Sequence, residues 1–386
     1  MKNKLAIVVT HPIQYYAPVF KLLNDRNILD IKVFYTWGKS VIENKYDPAF
    51  GKIVQWDIPL LEGYNYHFTE NNAKDKGSHH FEGIQNPSLI AEIEDWNPST
   101  VLIYGWAYHS HLKLMRHFKG KIPVCFRGDS TLLDSQPFYK RFLKNVYLRF
   151  RVFRYVDKAF YVGTRNKEYF KNYGVKEGQL FFAPHAIDNA RFAVDHSTEA
   201  LKWRKGLGIK VNDLVVLFAG KFEPKKQPDL LLNVFVELNL SNCHLVFVGN
   251  GILEEKLKSI KEHSVNKDRI HFLDFQNQQK MPIIYQLADI FCLPSKGPGE
   301  TWGLAVNEAM AAGKTILVSD KVGSAIDLVQ NGKNGFIFNS NDTHDFKFKL
   351  RELLDKEKLI PFGKKSIMII NEWNFDKQVK LIEMSV

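Results

Sequence analysis

The chain has 386 residues, 45% of them hydrophobic and 25% charged, the balance of a globular protein and not of a collagenous or disordered one. At this length two domains of roughly 190 residues are expected, because one hydrophobic core stops growing well before that size. The formal net charge of +11 asks for an anionic partner, either nucleic acid, anionic lipid or a phosphate-bearing substrate, yet no zinc-finger spacing, aromatic RNP signature or clear helix-turn-helix is present.

The opening apolar run, residues 5–9, is five residues long before His11-Pro12 ends it, so a first strand is expected there and not a signal peptide. Further strand-like runs follow at 31–35, 101–104, 124–126, 159–162 and 180–183, separated by helical or irregular segments. The loop after the third run, Tyr104-Gly-Trp-Ala-Tyr-His-Ser-His111, is rich in aromatic and imidazole groups, which suits a sugar platform built on Trp106 and His109. His109 and His111 have the spacing of a metal pair, but the sequence offers no third ligand, and no metal is expected. Residues 138–158 interleave Lys140, Arg141, Lys144, Arg149, Arg151 and Arg154 with Phe138, Phe142, Val146, Phe150 and Phe153 at roughly helical spacing. A basic amphipathic helix of this kind either lies on an anionic membrane leaflet or turns its apolar stripe to the core, and both readings stay open.

A polar, weakly patterned stretch near 188–205 marks the expected domain boundary. The second half is more regular, with strands at 214–218, 245–248, 270–272, 290–293 and 315–318 alternating with helices at 228–238, 253–262 and 281–288. Such alternation argues for α/β architecture with two doubly wound parallel sheets. Cys125, Cys243 and Cys292 are odd in number and sit in apolar runs, so they read as buried thiols in a reducing cytosol. No run approaches the length of a membrane span, and a cytoplasmic protein is expected.

The most informative stretch is residues 293–320, LPSKGPGETWGLAVNEAMAAGKTILVSD. A glycine-rich loop around Glu300 leads into helix formers that carry Glu308 and stop at Gly313, and a buried strand follows. A glycine-rich loop opening a helix presents backbone N–H groups to a phosphate, and nearby carboxylates accept hydroxyl hydrogen bonds. One ligand with a phosphate and several hydroxyls is a sugar nucleotide.

This string resembles the donor-site signature of the retaining family 4 glycosyltransferases, of glycosyl transferases group 1 type, built on the two-Rossmann GT-B fold. The resemblance covers nearly the whole chain, strongly over residues 214–340. It implies an acceptor-binding domain at 1–190, a donor-binding domain at 191–370 facing it across a cleft, and a final helix at 371–386 that crosses back. In the donor half it implies that Gly220 ends a strand and that Lys221 and Lys226 neutralise the nucleotide diphosphate. Lys221 stands where arginine is usual, and Gln227 where glycine is usual. Asn250, in a second glycine turn, would belong to the donor site, and residues 272–275, ending on Phe275, would border the nucleobase. Glu308 would accept from the ribose, Glu300 from the donor sugar, and the backbone around Thr301, Trp302, Gly303 and Leu304 would contact sugar and phosphate. In the acceptor half, Gln14 fits a glutamine of the pattern while His11-Pro12 replaces its glycines, and residues 47–64 resemble part of the acceptor region. Arg127 stands where a histidine near the donor sugar is common. An arginine cannot act as a general base, so its catalytic part would be electrostatic or positional.

The expected activity is therefore retaining, metal-independent transfer of a hexosyl or other glycosyl unit from a UDP- or GDP-linked sugar. It would need no other cofactor, and the acceptor would be a glycan or a lipid-linked molecule in cell-surface polysaccharide or glycoconjugate synthesis. The protein could be peripheral at the inner membrane face through 138–158. Two rivals are a GT-B sugar-nucleotide epimerase, which would turn over donor without acceptor, and a non-catalytic basic protein binding membrane or nucleic acid, which leaves the Glu300–Glu308 string unexplained.

Overall fold

A computed structural model describes residues 2–39, 46–47, 52–53, 57–134 and 137–386. Parts of the 47–64 segment, at 48–51 and 54–56, lie outside the described residues. Two compact units divide the chain: Met1–Lys45, Ile58–His185 and Phe375–Val386 form one, Tyr46–Asp57 and Ala186–Asn374 the other.

The strands of the first half are Lys4–Val9 (β1), Asp30–Tyr35 (β2), the short antiparallel pair Tyr46–Asp47 (β3) and Lys52–Ile53 (β4), then Tyr66–Phe68 (β5), Thr100–Tyr104 (β6), Val124–Arg127 (β7), Lys158–Tyr161 (β8) and Leu180–Phe182 (β9). Seven of them form the first unit's parallel sheet in the order β5-β2-β1-β6-β7-β8-β9. Helices cover both faces, which is why these runs are apolar throughout and do not alternate with polar residues. The two-residue period still sorts the side chains: Ala6, Val8, Val101, Ile103 and Phe126 enter one core cluster, and Leu5, Ile7, Val9, Leu102 and Cys125 the other. The terminal helix Phe375–Ser385 buries Val379 and Ile382 in the second cluster, with Arg26 Nε 3.1 Å from Glu383 Oε1.

The second unit's strands are Leu214–Ala219 (β10), Cys243–Val248 (β11), Ile270–Leu273 (β12), Ile290–Leu293 (β13), Thr315–Ser319 (β14) and Gly335–Phe338 (β15). They pair in the order β12-β11-β10-β13-β14-β15, all parallel. The order reverses between β10 and β13 here, and between β1 and β6 in the first sheet. In open α/β sheets such switch points are where loops splay apart and ligands bind, at the carboxyl ends of the strands.

Among the elements that the sequence did not reveal are two strands and two helices. β5 is three partly exposed residues at a sheet edge, and β15 opens on Gly335, so neither has a strong apolar run. The stretch expected to be a weakly patterned boundary holds helices Asn189–Ala193 and Ser197–Gly206. Residues 138–158 do not form one helix: an α-helix at Phe138–Tyr147 passes into a π-helical turn at Leu148–Val152 and a 3₁₀ turn at Phe153–Tyr155 before β8. Among the described residues, no helix is long and apolar enough to cross a membrane.

Candidate functional site

The second unit's switch point is assembled from the loops that follow β10 and β13. Gly220 and Gly249, each ending a strand, are packed against one another: a Cβ on Gly249 would lie 2.2 Å from Gly220 O. Gly220 N donates to Val248 O at 2.9 Å and Phe222 N to Asn250 O at 3.0 Å, so the two glycine turns form one folded layer. Asn250 is buried and its amide is fully used, Nδ2 donating to Asp274 Oδ1 and Glu254 Oε2, each at 3.0 Å, and Oδ1 accepting from Phe275 N at 3.0 Å. The side chain therefore fixes the position of the Asp274–Phe275 loop.

Lys221 is half-buried at the start of the β10 loop, and Lys226 ends a short 3₁₀ turn, Pro224–Lys226. Gln227 follows at φ 49°, ψ 47°, in the left-handed region where a glycine would sit without strain. Lys225 O accepts from Lys296 N at 2.8 Å, which ties the β10 loop to the β13 loop. Across that seam Lys226 Nζ donates to Glu300 Oε2 at 2.7 Å, and Ser295 Oγ donates to the same oxygen at 2.9 Å. The pair is largely withdrawn from solvent, with side-chain exposures of 17% for Lys226 and 9% for Glu300.

The helix after this loop, Leu304–Ala311, starts at Gly303, whose φ of 86° is open only to glycine at low cost. A Cβ there would also crowd Val322 Cγ1 at 3.0 Å and Leu293 Cδ2 at 3.2 Å. Gly303 has no side chain to cap this helix start, and Val306 N donates to Gly303 O at 2.9 Å, so an anion would meet the amides ahead of it. At the far end, Gly313 N donates to Met310 O and Lys314 N to Ala309 O, a Schellman closure that requires the left-handed Gly313. Glu308, 4% exposed, lies within the helix and accepts from Tyr285 OH at 2.7 Å. Trp302 is buried, its Nε1 donating to Asn307 Oδ1 at 2.9 Å and its ring 5.1 Å from that of Trp373. The backbone of Glu300 and Trp302 is held down by Gly323 N and Ser324 N, and a Cβ on Gly323 would lie 1.7 Å from Thr301 O.

In the first unit the candidate acceptor residues flank its own switch point. His11 follows β1, with Nδ1 2.8 Å from Thr10 Oγ1 and its ring edge-on to Trp37 at 5.3 Å. Gln14 Oε1 is buried with no hydrogen-bond partner among the described residues, so it is an acceptor that a ligand hydroxyl could satisfy. After β6, Trp106 is half-buried with its ring 6.0 Å from Tyr147, and His109 is exposed, 6.0 Å from Phe81. His111 is fully buried and spends both ring nitrogens, on Thr36 Oγ1 at 2.9 Å and Gly105 O at 3.0 Å. Burial drives its pKa down to about 4. It does not pair with His109. Three other residues, Asp75, His79 and His80, do bring ligand atoms within 4.8 Å of one another, on an exposed loop where both imidazoles already contact the Asp75 carboxylate.

Arg127 is 2% exposed, and its guanidinium is given to the exit of β9, Nη1 to Ala183 O at 2.8 Å and Nη2 to Pro184 O at 3.1 Å. Beside it stands His185, whose pKa is pushed down to about 3, by burial first and then by the Arg127 charge. The His185 ring stacks on Tyr16 at 6.2 Å. Burial, and next the carboxylate of Asp129, raises the Tyr16 hydroxyl well above the usual phenol range. Tyr16, His185 and Tyr285 were not picked out from sequence, whereas Ser295 belongs to the 293–320 string; the Pro184-His185 break after β9 was a signal for His185.

Two doubly wound parallel sheets, with an aligned lysine–carboxylate loop at the switch point of the second, define the GT-B class. Residues 199–366 match the family model described as glycosyl transferases group 1. The match covers that segment of the second unit, less than half of the chain. A D-inositol 3-phosphate glycosyltransferase of Geodermatophilus obscurus is 27% identical over 203 residues, which cover 50% of this chain and 44% of that protein. The chain thus spans less than half the length of this curated relative. Among solved structures, Anabaena HepE in complex with UDP superposes with a TM-score of 0.73 at 15% identity, covering 100% of this chain and 99% of that one. WaaG, a glycosyltransferase involved in lipopolysaccharide biosynthesis, superposes with a TM-score of 0.66 at 13% identity, covering 99% of each chain. At these identities the structural likeness establishes the fold.

Proposed function

We propose that the protein is a retaining glycosyltransferase that takes a sugar from a nucleoside diphosphate donor bound to the second unit and passes it to an acceptor hydroxyl. The observation that carries this reading is the Lys226–Glu300 pair at the β10/β13 switch point, next to the uncapped start of helix Leu304–Ala311. A diphosphate placed there meets two lysine ammonium groups and a row of backbone donors. Those groups stabilise the charge that develops on the leaving phosphate, the contribution usually largest in such sites. When the diphosphate takes the charge of Lys226, the Glu300 carboxylate exchanges an ammonium for the hydroxyls of the donor sugar. Glu308, held by Tyr285, receives the ribose, and the loop fixed by Asn250 borders the base.

Retention follows from attack on the face that the diphosphate leaves, with the departing phosphate oxygen taking the acceptor's proton. Double displacement would need a carboxylate against the anomeric carbon, and no residue of the chain is assigned that part. His11, Gln14, Trp106 and His109 are assigned to the acceptor. Arg127 acts by position, holding the chain at Ala183 and Pro184. No metal is assigned, and the co-substrate is a UDP- or GDP-linked sugar.

A thermal-shift panel of UDP, GDP, ADP, CMP and dTDP, with wild type and Lys226→Ala, tests the donor site. A nucleotide at about a hundred times its dissociation constant stabilises the fold by roughly 2.7 kcal/mol, and the variant should lose that response. Turnover of the responding nucleotide's sugars with and without added acceptor separates transfer from epimerisation, and the product anomer read by NMR tests retention. If no nucleotide stabilises the protein at millimolar concentration, the proposal fails.

A further inference from the structure

Helix Phe138–Tyr147 is turned inside out. It buries none of its residues, and its aromatic and aliphatic side chains point to solvent, with Phe138 74%, Phe142 59% and Leu143 63% exposed. Val146 and, in the following π turn, Phe150 continue the same stripe. The side toward the body of the unit is polar. Asn145 Nδ2 donates to Asn172 O at 3.2 Å, and Lys144 Nζ lies over the rings of Tyr169 and Tyr173 at 5.4 and 5.7 Å. Beside the helix is an open pocket of about 750 Å³, lined by Phe138 and Phe142 as well as by Arg141, Lys144, Asn145 and Tyr173. An apolar stripe that faces the core needs no further partner, but one that faces water does.

Charge selects the partner. From Phe138 to Val156 there are six cationic residues, Lys140, Arg141, Lys144, Arg149, Arg151 and Arg154, and no acidic one. Lys140, Arg149, Arg151 and Arg154 are exposed alongside the stripe. A second copy of this chain would have to bring the same cations against these in a two-fold contact. An anionic bilayer instead accepts rings and aliphatic groups into its headgroup boundary and pairs the cations with phosphates.

We propose that helix Phe138–Tyr147 and its π turn are an interfacial anchor, whose exposed apolar side chains enter an anionic membrane surface while the flanking lysine and arginines contact lipid phosphates. The anchor stands independently of the transferase reading. One consequence does rest on that reading: Tyr147 lies 6.0 Å from Trp106, so an anchored protein holds its acceptor loop at the bilayer and takes a lipid-linked acceptor.

The test is co-sedimentation of the full chain with vesicles of phosphatidylcholine alone and of phosphatidylcholine with phosphatidylglycerol. Anionic vesicles should bind at least about tenfold more tightly than neutral ones, and high salt should weaken the binding. The double variant Phe142→Ser, Leu143→Ser should bind at least about tenfold more weakly. Both side chains are largely exposed, so its melting temperature and nucleotide-induced shift should stay at wild-type values. Those two readouts keep failure of the anchor separate from failure of the donor site. Equal binding by the double variant, or no binding of wild type to anionic vesicles, overturns the proposal. So does a wild-type dimer in sedimentation velocity that the double variant abolishes, because the face would then belong to a second copy.

Discussion

Lys226 Nζ lies 2.7 Å from Glu300 Oε2 across the boundary where the strand order of the second sheet reverses. The two groups are 17% and 9% exposed, so each is the other's main substitute for water. On the proposed function, a donor diphosphate would compete with Glu300 for Lys226 and leave the released carboxylate to the sugar. The pair would then act as a latch that the donor opens from both ends.

This latch makes the two residues respond differently to substitution. Removing Lys226 deletes a charge-assisted contact, typically about 1.5–3 kcal/mol, so Lys226→Ala should weaken diphosphate binding roughly ten- to a hundredfold. Glu300→Gln frees the lysine and should leave diphosphate affinity equal or tighter, while transfer of the sugar falls by at least about tenfold. Isothermal titration with UDP or GDP, beside turnover, separates these effects. A matching loss of nucleotide affinity in both variants would sink the latch.

Tyr285 should matter through Glu308. Its hydroxyl lies 2.7 Å from a carboxylate oxygen that is buried. Tyr285→Phe removes that donor and should cost about 1–3 kcal/mol of stability, read as a lower urea midpoint with an unchanged slope. It should also reduce affinity for the nucleoside more than Lys226→Ala does, because the ribose loses a positioned acceptor. Titration with uridine or guanosine, which carry no phosphate, makes the comparison.

The glycines of the donor loops are predicted to divide into two kinds. A Cβ on Gly249 would sit 2.2 Å from a backbone oxygen, and its φ is 136°, so Gly249→Ala must separate the two glycine turns. Gly299, at φ 85°, has open space where its Cβ would go, so Gly299→Ala meets backbone strain alone, of order 1–2 kcal/mol. Gly249→Ala should lower the melting temperature further and abolish the nucleotide shift, while Gly299→Ala keeps it. Equal behaviour would show that close packing of the turns is not what positions Lys221 and Lys226.

Stability should fall in mild acid. His111 and His185 are buried, with pKa values driven down to about 4 and about 3 by burial, joined at His185 by the charge of Arg127. His271, beside His244, is driven to about 4. The unfolded chain protonates these rings near pH 6.5, before the folded chain does, so the unfolded state gains protons first. The stability that their neutrality provides is therefore complete above pH 6.5 and is lost as the pH falls toward 4. The slope should be roughly 1 kcal/mol per pH unit for each fully buried ring. Urea midpoints between pH 7 and 4.5 measure it, and His111→Gln should flatten the curve.

The amino-acid order determined much of this molecule because much of it is local. Continuous apolar runs between glycine turns specify strands buried on both faces, so the β10–β14 positions were legible, as was the helix carrying Glu308, with its left-handed Gly303 and Gly313 at the ends. The placement of Lys221, Lys226 and Glu300 on loops after strands could be read because spacing around one strand end or one helix start is itself the geometry. Short edge strands such as β5, and helices Asn189–Ala193 and Ser197–Gly206, escaped because too few apolar residues mark them and neighbours complete their burial. Tertiary structure alone decided what lies far apart in the chain. It set Lys226 on Glu300, 74 positions away, gave the Arg127 guanidinium to carbonyls 56 and 57 positions on, and placed Tyr285 against Glu308. It also decided which way helix Phe138–Tyr147 faces. Periodicity marks an apolar stripe but not what covers it, and here the body of the unit took the polar side and left the rings to solvent.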